Sequence, residues 1–260
     1  MKVGFAAPLS TPQNMRDVCE VARRSGYDFF EFPLAPLGLH EGRHAEARAL
    51  MGSLSLPCTV AQSFLPRELP VSGPAVDENR VKTYLGRAAE LCQAVGATKA
   101  VFGAAWSRNV PEGWDRARAK EQLIDAFTWT AHAFEGSGCT VGIEPQNLKE
   151  ANIVRTLPEA VEYAVAVDHP SIKVVLDFYH HDEEKVPLQD IETYGDWIIH
   201  IQTADTGRRH PGTGAYDYPA FARHLAAIGY DDTLSVEVMH QLTGAEIAES
   251  KTFLRTIWPR

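Results

Sequence analysis

AAIGYDDTLSVEV (226–238) reads as one structural unit: a helix end, a glycine stop, Tyr-Asp, then an apolar strand that turns acidic as it finishes. RRSGYDFFEF (23–32) repeats the unit, and QAVGATKAVFG (93–103) repeats it without the tyrosine. Glycine after the last helical residue is the left-handed cap of a helix. Helix, glycine, short loop and strand form half of a βαβ crossover, which parallel strands need because a hairpin cannot join them.

Working outward, short apolar runs alternate with helical patterns along the whole chain. Eight candidate strands follow: Val3–Ala7, Phe29–Pro33, Thr59–Phe64, Lys99–Ala104, Thr140–Glu144, Lys173–Asp177, Ile198–Thr203 and Leu234–Val238. In 78–95, Val81, Tyr84, Leu85, Ala88, Leu91, Cys92 and Val95 fall on one helical face, as do Met15, Val18, Cys19 and Ala22 in 14–25. Segments 117–134, 158–167, 218–228 and 244–257 carry weaker versions. Eight such units predict an α/β chain folded as a (β/α)8 TIM barrel, one domain over residues 1–260. The competing doubly wound sheet would place a glycine-rich phosphate loop after its first strand; here that strand runs into APLSTPQN (7–14). The proline-rich loop LPRELPVSGPAVD (65–77) reads as an excursion over the barrel mouth.

Composition narrows the function classes. With 45% hydrophobic and 23% charged residues the 260-residue chain is of ordinary globular type. No apolar stretch approaches the roughly 20 residues of a membrane span, and MKVGFAAPLS reads as a first strand rather than a signal peptide, so a cytoplasmic protein is expected. The four cysteines lie far apart with no CxxC, which predicts buried free thiols. A formal charge of −9 argues against a nucleic-acid partner. Basic residues cluster once, at Arg208, Arg209 and His210.

Four successive strands end in an oxygen-bearing side chain: Glu144 in CTVGIEP (139–145), Asp177 in IKVVLDFYH (172–180), Gln202 in WIIHIQTAD (197–205) and Glu237 in TLSVEVMH (233–240). In a (β/α)8 barrel this end of the strands carries the active site. A single strand-terminal carboxylate is commonly a loop residue or a helix cap. Three from neighbouring strands, with a carboxamide between them, make an oxygen cage for a hard divalent cation, Mn²⁺ or Mg²⁺ before Zn²⁺ or Co²⁺. His200 shares a strand face with Gln202 and rivals it as third ligand; choosing His200 would shift the metal toward Zn²⁺ or Co²⁺. A cation so held polarises neighbouring hydroxyl and carbonyl oxygens of a sugar and stabilises the enediolate left when the intervening proton departs. Glu144 and Glu237, from opposite ends of this strand set, are the natural acid/base pair. The turn PGTG (211–214) would carry Arg208 or His210 over the mouth, and His180 lies three residues beyond Asp177. Arg108 is a candidate lid contact, His181 a surface residue, and Gln62, Trp106 and Trp114 are guessed pocket residues.

GIEPQN (142–147), VLDFYH (175–180), HIQTADTGRRHPGTGAYDY (200–218) and LSVEV (234–238), in that order, resemble the xylose isomerase-like TIM-barrel superfamily of sugar isomerases and epimerases. His-Ile-Gln and the loop after it are similar to the hydroxypyruvate isomerase branch, whereas ketose 3-epimerases carry an HxH motif there; DFYH is similar to both. The resemblance implies Glu144, Asp177, Gln202 and Glu237 as ligands of one divalent metal, Glu144 and Glu237 as catalytic, and His180 and Arg208 as substrate contacts. It implies a sugar or small hydroxy-keto substrate turned over through an enediolate. The alternative on the same barrel is a metal-dependent lyase or dehydratase of a keto-sugar or inosose. The DNA-repair endonucleases of the superfamily need a basic groove and histidine-rich strand ends, which this chain lacks, and a barrel that binds sugar without turnover is the non-catalytic reading. No membrane partner is expected; Trp258 and the apolar helices would serve either the interface of a homo-oligomer or the closure of the barrel's outer ring.

Overall fold

The computed structural model describes residues 1–258. In chain order its elements are β1 (Lys2–Ala6), α1 (Met15–Arg24), β2 (Phe29–Pro33), α2 (His44–Gly52), β3 (Val60–Gln62), α3 (Glu78–Val95), β4 (Lys99–Phe102), α4 (Ala105–Arg108) and α5 (Arg116–Phe134). There follow β5 (Thr140–Ile143), α6 (Leu157–Val167), β6 (Ile172–Asp177), α7 (Phe178–Glu183), α8 (Gln189–Tyr194), β7 (Ile198–Thr203), α9 (Tyr218–Ala227), β8 (Thr233–Val236) and α10 (Gly244–Ile257). All eight expected strands and all six expected helical segments are present, with ends shifted by at most two residues. Helix α3 shows why its sequence stops where it does. Asp77 caps its start by accepting from the Arg80 N–H at 3.0 Å, and Gly96 ends it at φ +74°.

The strands close in the order β1 to β8, every pair parallel, with β8 returning to β1 through Lys2↔Thr233 to Phe5↔Val236. This is a TIM barrel. Side chains alternate between the barrel interior and the helical layer. The larger core lies between strands and helices, while Phe29, Val60, Val101 and Val175 form a separate buried cluster. Small residues make room for bulky ones: a Cβ on Gly4 would collide with the Phe29 ring, and one on Gly142 with Val175. Lower in the barrel, Lys99 donates to Asp232 and, at 2.7 Å, to Thr233.

Loop 65–77 lies where expected, at the C-terminal end of the strands, pinned to the turn after β4. Val71 N–H donates to Ser107 O at 2.8 Å, Trp106 Nε1 to Leu65 O at 2.8 Å, and Ser107 Oγ to Pro66 O at 2.9 Å. The four cysteines are free and buried. Among the described residues no helix is long and apolar enough to cross a membrane. Trp258 packs edge-on against Tyr218 and Phe221 of its own chain, inside the outer helical ring.

Candidate active site

Glu144 stands one residue past β5, where its N–H still donates to Phe102 O at 3.2 Å and continues the ladder. Its carboxylate fits because residue 103 is glycine: a Cβ there would collide with Glu144 Oε2. Gly103→Ala should therefore keep the barrel, since only a side-chain end must move, yet displace that carboxylate. We expect the midpoint of Mn²⁺ binding, read by calorimetry, to weaken roughly 10-fold, the low end for groups that orient a metal ligand.

Asp177 ends β6 and caps α7. Its Oδ1 accepts the Tyr179 N–H at 2.9 Å, which fixes the carboxylate and leaves Oδ2 without a hydrogen-bond partner. One turn on, His180 Nε2 lies 3.6 Å from both Glu144 Oε1 and Asp177 Oδ2. These three residues offer atoms within 4.8 Å of one another. The tautomer bears on the role of the imidazole. His180 Nδ1 accepts the Asn147 backbone N–H at 3.2 Å, with the Asn147 side-chain nitrogen at 2.9 Å. A ring nitrogen that accepts carries no proton, so in the neutral ring Nε2 holds it and is a donor. Burial, with Arg208 and Arg108 nearby, pushes the His180 pKa well below its ordinary value, so the ring is neutral. This is the geometry of a group that donates to an oxygen rather than one that ligates a metal.

On β7, His200 and Gln202 face the same way and are held by one carboxylate. Glu31 of β2 accepts from Gln202 Nε2 at 2.6 Å and pairs with His200 Nε2 at 3.0 Å; His200 Nδ1 meets Thr233 Oγ1 at 2.8 Å. Both His200 nitrogens are thus engaged away from the cage. Because Glu31 can only accept, it turns the Gln202 amide so that Oε1, which has no partner, faces the other way.

Glu237 follows β8, its N–H donating to Thr203 O at 2.9 Å. Arg208 reaches it from the loop after β7: Nη2 donates to Glu237 Oε2 at 2.7 Å and lies 3.7 Å from Asp177 Oδ2, while Nη1 donates to Glu150 at 2.6 Å. The loop is organised by Asp205, whose carboxylate accepts the N–H groups of Thr206, Gly212 and Tyr216. Gly214 is needed there, since a Cβ would strike that carboxylate. Arg208 itself sits at φ +57°. Burial alone would lower its pKa; Glu237, Asp177 and Glu150 more than offset this, and it stays firmly cationic.

The carboxylates of the site outnumber the cations that hydrogen-bond to them. Glu31, Glu144, Asp177 and Glu237 are all buried, and among the described residues Arg208 is the one arginine or lysine that hydrogen-bonds to any of them. Burial first, then Glu237 and Asp177, raise the Glu144 pKa well above the usual carboxylate range. Burial pushes Asp177 from 3.8 to about 8, against the pull of Arg208 and with help from Glu237. Among the described residues, Glu144 Oε1, Asp177 Oδ2 and Gln202 Oε1 are buried without a hydrogen-bond partner. Unpartnered buried oxygens are costly, and these fit a hard divalent cation. A carboxyl whose pKa is raised on folding binds more protons in the native state, so its contribution to stability is present below its unfolded pKa and lost as pH rises through the folded one. Chelator-treated protein should therefore lose several degrees of melting temperature between about pH 4 and pH 8. Added Mn²⁺ should cancel the loss, as differential scanning fluorimetry would read; a flat metal-free profile would contradict the cage.

Several residues stand elsewhere than their sequence context predicts. Arg108 is no lid contact: it is fully buried beneath the site and donates to Phe102 O, Gln146 Oε1 and Val154 O. Its partners are mostly backbone carbonyls, which leave no trace in a sequence. His210 turns from the mouth toward Glu246 and Glu249 of α10. His181 is buried, with Nε2 3.2 Å from Pro187 O. Gln62 and Trp106 line a cavity of about 60 Å³ with Glu144, Glu150, Arg208 and Glu237, but Trp114 instead bonds Gln122. Glu31 is the site residue that the sequence reading passes over.

Residues 19–257 match the family described as xylose isomerase-like TIM barrel. The chain is 26% identical over 241 residues to 3-dehydro-D-guloside 4-epimerase of Escherichia coli (strain K12), covering 88% of this chain and 89% of that protein. It is 23% identical over 265 residues to ketose 3-epimerase of Arthrobacter globiformis, covering 99% and 89%. Among solved structures, apo 3-keto-D-glucoside 4-epimerase from E. coli superposes with a TM-score of 0.82 at 24% identity, covering 98% of this chain and 99% of that one. The IOLI protein, solved with a binding zinc atom, does so with a TM-score of 0.78 at 19% identity, covering 99% and 98%.

Proposed function

The chain belongs to the xylose isomerase-like TIM barrel family, and from that premise we propose that it is a divalent-metal-dependent epimerase or isomerase of a keto-sugar. One observation carries the reading: buried carboxylates converge at the strand ends with oxygens that find no hydrogen-bond partner among the described residues. Glu144, Asp177, Gln202 and Glu237 would hold the cation. Oxygen donors favour Mn²⁺ or Mg²⁺, and the engagement of both His200 nitrogens argues against the softer alternatives. When bound, the cation supplies positive charge for the oxygens of the enediolate.

The protein side chains divide the remaining work. Glu237, hydrogen-bonded to Arg208, is the better kept ionised and serves as the base that takes the C–H proton. Glu144, on the other side of the cage, serves as the acid, loaded with a solvent proton before it delivers one to the opposite face. Return of the proton to the opposite face of the same carbon gives an epimer; return to the neighbouring carbon moves the carbonyl. His180 Nε2–H donates to a substrate hydroxyl, and Arg208 contacts the substrate from the mouth. We take residues 1–260 as one domain and place the protein in the cytoplasm, in keeping with four free, buried cysteines. The relatives named above are epimerases, which disfavours the dehydratase alternative.

The test is incubation with a panel of ketohexoses and 3-keto-sugars in D₂O, with and without Mn²⁺, followed by NMR. Deuterium should enter one C–H position alongside the epimer or isomer, and only with metal. Absence of exchange from every substrate in loaded enzyme would remove the reading.

A further inference from the structure

Beyond the small inner cavity the mouth opens into a second cleft of about 520 Å³. Pro8, Ser63, Trp106 and Met239 wall both spaces, so the two adjoin. The inner space, about 60 Å³, has room for roughly two waters, whereas the outer one has the size of a whole small-molecule site. A ligand gripped at the cage has its natural extension outward.

The outer cleft gathers exposed apolar side chains that elsewhere stand alone. Among the described residues five large hydrophobics are exposed, and three of them line it: Leu9 at 48%, Trp106 at 37% and Met239 at 42%. They come from the segments after three different strands, so the clustering is not a local accident of sequence. The Trp106 ring is held in place. Its Nε1 donates to Leu65 O at 2.8 Å, and the Arg67 guanidinium lies 5.3 Å from its centroid. The charges of the cleft balance: Arg43 and Arg67 against Glu41 and Glu68, with Arg43 ion-paired to Glu41. A phosphate or carboxylate would find no net positive field. A neutral ring with an apolar C–H face and a hydroxyl edge finds both an aromatic platform and hydrogen-bonding partners.

We propose that the outer cleft is a second sugar subsite, and that the preferred substrate is a neutral glycosylated keto-sugar. Its keto ring lies in the cage and its second ring packs against Trp106, Leu9 and Met239. The keto-ring half rests on the epimerase reading; the second-ring half does not.

The test compares metal-loaded enzyme on D-fructose and 3-keto-glucose with the glucosyl-fructoses isomaltulose and leucrose and with 3-keto-cellobiose, reading deuterium exchange. At least one disaccharide should be preferred by roughly tenfold or more in kcat/KM, mostly through KM. Trp106→Ala should cut that preference to within about threefold, and so should Leu9→Glu, at a half-exposed position. Equal exchange of mono- and disaccharides, or a preference that neither variant reduces, would overturn the subsite and leave the epimerase standing. If nothing exchanges, the epimerase reading falls alone. Cellobiose titrated by calorimetry then decides the subsite: binding weakened by both variants supports it, and no binding, or undiminished binding, removes it.

Discussion

Glu144→Gln should give a folded barrel that exchanges substrate protons roughly a thousandfold more slowly than its parent, within the range that one general acid or base contributes. The substitution keeps size and shape and removes the negative charge, and with it the ability to carry and release a proton. Two further readouts separate this from simple damage. The carboxyl is buried against Glu237 and Asp177, which with burial itself raise its pKa. Its loss therefore relieves repulsion in the metal-free protein, and chelator-treated Glu144→Gln should melt higher than chelator-treated wild type at about pH 8, where the charged carboxylate is costliest. With Mn²⁺ the order should reverse, because the variant has one anionic oxygen fewer for the cation. A variant that kept kcat within about tenfold would place Glu144 outside the chemistry, and one that melted lower than wild type in chelator would mark the slow exchange as damage to the fold.

The strand ends were legible because polarity at the close of an apolar run is costly unless something converges there. Glu144 in VGIEP and Glu237 in SVEVM carry that signal on their own. The choice between His200 and Gln202 was not legible, since both share a face and it depends on partners from β2 and β8 that only closure of the barrel supplies. Glu31 in FFEFP presents the same signal as Glu237, a carboxylate amid buried apolar neighbours, and could have been found by it. It lies far along the chain from the other strand ends, in a segment with no distinctive motif. The short helices α7 and α8 span too few residues for periodicity to register. His210 belonged to a basic cluster that looked like one surface. The turn built around Asp205 sends Arg208 inward and His210 to α10.

Glu31 itself yields the second large effect. Its carboxylate accepts from Gln202 Nε2 and so fixes which end of that amide faces the cage. In Glu31→Gln the new side chain also has an amide nitrogen to offer. Gln202 can then turn over, presenting nitrogen to the cation site, and Mn²⁺ affinity should fall by roughly 10- to 100-fold, the range for groups that orient metal ligands. Glu31→Leu goes further. It strips Gln202 Nε2 and His200 Nε2 of their buried acceptor, at a cost of about 2–4 kcal/mol, and the melting temperature should drop by roughly 5–15 °C. A structural role alone accounts for that loss, so the deciding measurement is the exchange Glu31→Gln with Gln202→Glu. In that double variant the new amide on β2 donates and the new carboxylate on β7 accepts. The second oxygen of the carboxylate again faces the cage, and no nitrogen can take its place. Mn²⁺ affinity in the double variant should return at least to the wild-type level while Glu31→Gln alone stays weak. Failure of the pair to recover would mean that Glu31 supports the barrel without orienting a ligand.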